Sequence, residues 1–143
     1  MLLNTASQVI SLARKLEEDG AAFYETLAQR YPQHKETLLT FARENKKNIS
    51  QVERAYYDVI SDALEGCFAF ELDPKEYETD TKLTDKSSLI QALQKALDME
   101  ERTAAFYTKA AEQSKSLLAD VPRVFLATAK KRVKRLEELR ALS

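Results

Sequence analysis

Glu17 stands seven residues before Tyr24, and Glu100 stands seven before Tyr107. Each tyrosine closes the same tetrapeptide, Ala21-Ala22-Phe23-Tyr24 and Ala104-Ala105-Phe106-Tyr107, at an offset of 83. Seven residues are two turns of an α-helix, so each glutamate shares a face with its tyrosine. Around Glu17 that face carries Ala13, Leu16 and Gly20, an apolar setting, and the repeat gives Glu100 the equivalent place. Two carboxylates therefore point at one core. An unpaired buried carboxylate costs several kcal/mol, so the pair calls for cations, protons or hydrogen-bond donors.

The elements that must position these groups are helices. From Val9, apolar residues recur at intervals of three and four through Leu12, Leu16, Phe23 and Leu27, the period of one helix face. This predicts a first helix from about Thr5 to about Arg30. Thr5 followed by Gln8 has the form of a capping box, and Tyr31-Pro32 supplies the stop. A second helix is expected from near Gln33 to Gly66, with Leu38, Leu39, Phe41, Ala42, Ile49, Val52, Ala55, Tyr56, Val59 and Ile60 on its apolar face. Pro74 and the polar stretch 76–80 mark a long crossover at about 66–86. A third helix follows from about Ser87 to Ser114, its apolar set including Ile90, Leu93, Met99 and Phe106. Asp120, with Pro122 just inside, opens a fourth that carries Val124, Phe125, Leu126, Val133, Leu136 and Leu139. Phe41, Ile49 and Val52 of the second helix match Phe125, Val133 and Leu136 of the fourth at an offset of 84. Two helix pairs, about 5–65 and 87–141, thus share one plan, which predicts an all-α four-helix bundle in a single domain over 1–143.

Composition agrees with long helices, since only 2 glycines and 3 prolines serve 143 residues. The 22 basic and 23 acidic side chains nearly cancel, which argues against a global attraction to nucleic acid or acidic lipid. The single cysteine, Cys67, excludes an internal disulfide framework and reads as a small buried hydrophobe. With neither a basic, apolar leader at the start nor a run of about 18 apolar residues, a soluble cytoplasmic protein is expected, without a membrane partner.

On the paired Glu-x6-Tyr motifs and the long crossover, the chain resembles rubrerythrin-like members of the ferritin-like superfamily, along nearly its whole length. The resemblance implies a ferritin-like bundle with a di-iron carboxylate centre in its middle, used to reduce peroxide or oxygen or to oxidise iron, and it implies dimers. It also implies a Glu-x-x-His motif on the second and fourth helices. Aligned by Phe41, Ala42 and Ile49, the second helix has Asn45-Lys46-Lys47-Asn48 there, and the repeat puts Ala129-Lys130-Lys131-Arg132 at the fourth helix's place. Protonated lysine and arginine cannot ligate a metal. The only histidine, His34, falls at the corner between the first two helices and reads as a surface residue.

Arg132 would face Glu17 and Glu100, and a guanidinium can bridge two carboxylates through its fixed donors. A polar network of Glu17, Asn45, Asn48, Glu100 and Arg132, with the Tyr24 and Tyr107 hydroxyls at its edge and Ala129 beside it, is expected to fill the old metal pocket. The basic run of Lys130, Lys131, Arg132, Lys134 and Arg135 reads as a solvated face, as do Lys46 and Lys47. These residues predict a non-enzymatic bundle with no catalytic residues and no cofactor, serving interaction or oligomerisation, with a homodimer as its assembly. The alternative is a di-iron oxidoreductase or iron-binding protein in which Glu17 and Glu100 bridge the metal and Glu44, Asp98, Glu101 or water replace the lost ligands. A third reading is iron storage or delivery through surface carboxylates. An electron-transfer module of the Cys-x-x-Cys type is absent from the sequence.

Overall fold

The computed structural model describes residues 2–59, 70–114 and 120–142. It contains four long helices among these residues: α1 (Ala6–Arg30), α2 (Lys35–Val59), α3 (Leu89–Ser114) and α4 (Asp120–Ala141). The expectations at Ile60, Gly66, Cys67 and Phe68, and those on the Val59 and Asp120 side chains, fall outside what is described.

Local chemistry sets the helix ends. Thr5 Oγ1 accepts from the Gln8 amide at 3.2 Å, and Gln8 Oε1 accepts from the Thr5 amide at 3.2 Å, so the capping box closes both ways. At the other end of α1, Tyr31 leaves helical geometry ahead of Pro32, and its N–H donates to the Leu27 carbonyl at 2.8 Å. A single 3-10 turn, Pro32–His34, then feeds α2 and leaves His34 half-buried at the bundle end. A second reciprocal cap opens α3, where Ser88 Oγ accepts from the Gln91 amide and Gln91 Oε1 accepts from the Ser88 amide, at 3.1 and 2.9 Å.

α1 packs chiefly on α2, and α3 chiefly on α4, while α2–α4 and α1–α3 contacts join the pairs. Arg14 meets Glu53 and Glu25 meets Lys46, so α1 and α2 run in opposite senses. α3 and α4 do likewise, with Tyr107 against Phe125 and Glu100 against Arg135. The described part of the chain between the pairs, residues 70–88, lies along α1. Leu72 bridges to Leu3 before that helix begins, and the Arg30 guanidinium at its end donates to the Thr84 carbonyl. Phe70, Leu72 and Tyr77 are buried, Tyr77 stacking edge-on with Phe106 at 5.5 Å, so this part of the crossover packs over the bundle.

The apolar core is in two parts. One gathers Val9, Leu12, Leu16, Val52, Phe106 and Phe125 with the buried crossover residues. The other gathers Phe23, Leu27, Leu38, Phe41, Leu93 and Leu139. Between them lies a layer of buried polar side chains. Three residues expected on apolar faces are instead exposed, Ile90 at 60%, Leu126 at 39% and Val133 at 54%. Leu126 and Val133, seven apart, share one stripe of α4 beside the buried face that Phe125, Ala129, Arg132, Leu136 and Leu139 form.

Candidate functional site

The polar layer is built from all four helices. Glu17 of α1 and Glu100 of α3 are buried, their side chains at most 1% exposed. Arg132 of α4 lies between them, Nη2 donating to Glu17 Oε2 and Nη1 to Glu100 Oε2 at 3.2 Å. One guanidinium thus joins the two repeated carboxylates.

The tyrosines bind crosswise. Tyr107 of α3 donates to Glu17 Oε1 at 2.9 Å, and Tyr24 of α1 donates to Glu100 Oε1 at 2.5 Å. They are direct partners of the carboxylates, not an edge to the network, because a tyrosine two turns along an antiparallel neighbour reaches back across the bundle axis. Asn48 of α2 donates through Nδ2 to Glu17 Oε1 and to the Tyr107 oxygen, both at 3.2 Å, and its Oδ1 accepts from Thr128 of α4 at 3.0 Å. Asn45 reaches the layer differently. Its Nδ2 donates to the Glu17 backbone carbonyl at 3.3 Å, and not to a carboxylate.

Gly20 permits that contact. A Cβ at Gly20 would stand 2.5 Å from Asn45 Nδ2, so any larger residue displaces the amide. Ala129 is buried within the apolar cluster and has no polar part in the layer.

Arg135 corrects the reading of the basic run. Its side chain is 5% exposed, and its Nη1 donates to Asn45 Oδ1 at 2.6 Å and to Glu100 Oε1 at 3.0 Å. The guanidinium also covers the Phe41 ring at 4.8 Å and the Tyr24 ring at 5.5 Å. Lys130, Lys131 and Lys134 are exposed as expected, because three residues after Arg132 returns the helix to its buried face and the lysines fall elsewhere. Charge alone could have found Arg135: two buried carboxylates need two cations, and Arg132 supplies one. Thr128 is the other member missed.

Four buried charges sum to zero. Burial pushes the Glu100 carboxyl up, but the Arg132 and Arg135 guanidiniums and the Tyr24 hydroxyl outweigh it and hold it below the usual carboxylate range. Burial works against the Arg132 cation, yet Glu100 and Glu17 raise it further above an already high value, so it stays charged. Burial, with a carboxylate beside each, pushes the Tyr24 and Tyr107 phenols well above their ordinary range.

This donor set does not suit a metal ion. The carboxylate oxygens are taken by guanidinium, phenol and amide donors, and a guanidinium stands between them as fixed cation. The residues weighed as replacement ligands, Glu44, Asp98 and Glu101, are exposed, Asp98 pairing with Arg102 at 3.0 Å. Among the described residues no three histidine, cysteine, aspartate or glutamate side chains converge on a point, and no described helix is long and apolar enough to cross a membrane.

Fold and layer together define an all-α four-helix bundle with a buried, charge-neutral arginine–carboxylate network. No protein-family model, curated protein or solved structure matches the chain.

Proposed function

We propose that this chain is a non-enzymatic bundle of ferritin-like, rubrerythrin-like descent, in which guanidinium groups have taken the place of a di-iron centre. The observation that carries the reading is Arg132, held between the two repeated glutamates where such a centre would need an open space. Four of the six ligand positions of that plan hold Asn45, Asn48, Ala129 and Arg132. Without a coordinating set, the layer fixes the bundle, and the molecule's work falls to its surfaces. We take its role to be interaction or oligomerisation, as a homodimer in which the exposed stripe of Leu126 and Val133 on α4 meets a second copy.

Reconstruction tests the descent. Asn45→Glu, Asn48→His, Ala129→Glu and Arg132→His restore the ligands, and Arg135→Gln releases Glu100. Elemental analysis of this folded variant is expected to find about two irons per chain; a folded variant that binds none overturns the alignment. The unaltered protein, expressed with iron, should carry none above background, and iron near two per chain would return the reading to an oxidoreductase. Sedimentation should give a dimer that Val133→Lys separates, and a monomer at tens of micromolar would remove the assembly from the proposal.

A further inference from the structure

The polar layer opens to one side. Between α2 and α4 a cleft of about 140 Å³ reaches Asn48, Thr128, Arg132 and Arg135, with Glu44, Lys47 and Lys131 among its lining. Arg135 spends Nη1 on Asn45 and Glu100. Its Nη2 is directed to Glu44, whose Oε2 is 3.9 Å away, beyond hydrogen-bond distance. Glu17 and Glu100 balance the two arginines from behind. Lys47 and Lys131 are then opposed only by Glu44 among the lining residues, which leaves the cleft net positive in a chain of net charge −1. The cleft adjoins a second, shallower cavity of about 350 Å³ that shares Gln51, Thr128 and Lys131 with it and adds Arg54 to its wall. The α2–α4 cleft, at about 140 Å³, has room for a tetrahedral oxyanion.

We propose that the α2–α4 cleft binds a phosphate group, with Arg135 Nη2 as the buried donor and Lys47 and Lys131 as the flanking cations. A fixed guanidinium edge suits an oxyanion, and two flexible lysines close on it from the rim. Glu44 is the group an incoming anion displaces from Arg135. The site rests on the charges around the cleft and not on the bundle's descent, so it stands whether or not an ancestor held metal.

The test is a titration of the labelled protein with inorganic phosphate, followed by amide chemical shifts at ionic strength held constant with chloride. Saturable shifts confined to residues around Lys47, Asn48, Thr128 and Lys131 are expected. Lys131→Gln should weaken the apparent affinity about tenfold, and Glu44→Gln should strengthen it several-fold, because it removes the competing anion. Both side chains are exposed, so the variants keep the fold. Glycerol 3-phosphate titrated beside it separates the two sources of the group: tighter binding assigns a phosphate carried on a small molecule whose remainder enters the neighbouring cavity, and equal or weaker binding assigns the free ion. Shifts that do not saturate, or an affinity untouched by both variants, would overturn the site.

Discussion

Truncating Arg132 to alanine leaves two buried carboxylates facing one another with a single remaining guanidinium, and a loss of about 3–5 kcal/mol in denaturant unfolding is expected. A loss under about 1 kcal/mol would place the pair among contacts of surface strength and refute the network's role. Gly20→Ala makes a subtler prediction with an inverted sign. In an exposed helix interior this change stabilises by about 0.5–1 kcal/mol. Here the new methyl meets Asn45 Nδ2, which Arg135 and the Glu17 carbonyl hold in place, so a net loss of about 1–2 kcal/mol is expected from thermal or denaturant melts. The phenols give a spectroscopic check. Their folded pKa values lie above the unfolded value of about 10, so the stability they bring is whole below that pH and fades as pH rises toward the folded values. Tyrosinate absorbance of Tyr24 and Tyr107 should therefore appear only with unfolding, and Tyr24→Phe with Tyr107→Phe should leave the titration of the folded protein unchanged.

The elements were largely readable because their signals are local. The capping box at Thr5, the Tyr31-Pro32 stop and the period of three and four place α1 to within a residue, and Thr5→Ala should destabilise by about 1 kcal/mol on thermal melting. The cap at Ser88 uses the same spacing with Gln91 and starts α3 at Leu89, close to the expected Ser87. The repeat reaches further, since matching α4 to α2 puts Arg132 opposite both glutamates. Where it misled, the cause was the width of a helix face. Val133 matches Ile49, but one is exposed and the other half-buried, because a position at the margin of the stripe is settled by how neighbouring helices tilt and not by its own spacing. Arg135 is hidden in the sequence for the reverse reason. Its neighbours Lys130, Lys131 and Lys134 made a run that looks solvated as a whole, while only its angle around the helix distinguishes it.

The charged layer sits between two apolar half-cores, and every helix contributes to it. A slip of one helix by a turn would set an arginine or a glutamate against leucine and phenylalanine, so the layer fixes the register of all four helices together. Its acid dependence follows from Glu100. The folded pKa lies below the unfolded one, so the contribution is whole above about pH 4.3 and is lost as pH falls through the folded value. Stability measured against pH should fall steeply on the acid side, and Glu100→Gln should flatten that fall while lowering stability at pH 7.

The cation at the centre of this bundle is part of the polypeptide. A core closed by a free ion is only as firm as the supply of that ion, its stability shifting by about 1.4 kcal/mol for each tenfold change in free concentration above the dissociation constant. Arg132 is delivered with the chain at fixed stoichiometry, beyond the reach of chelators, starvation or a change in oxidation state. The centre of the bundle is thereby one whose occupancy never varies.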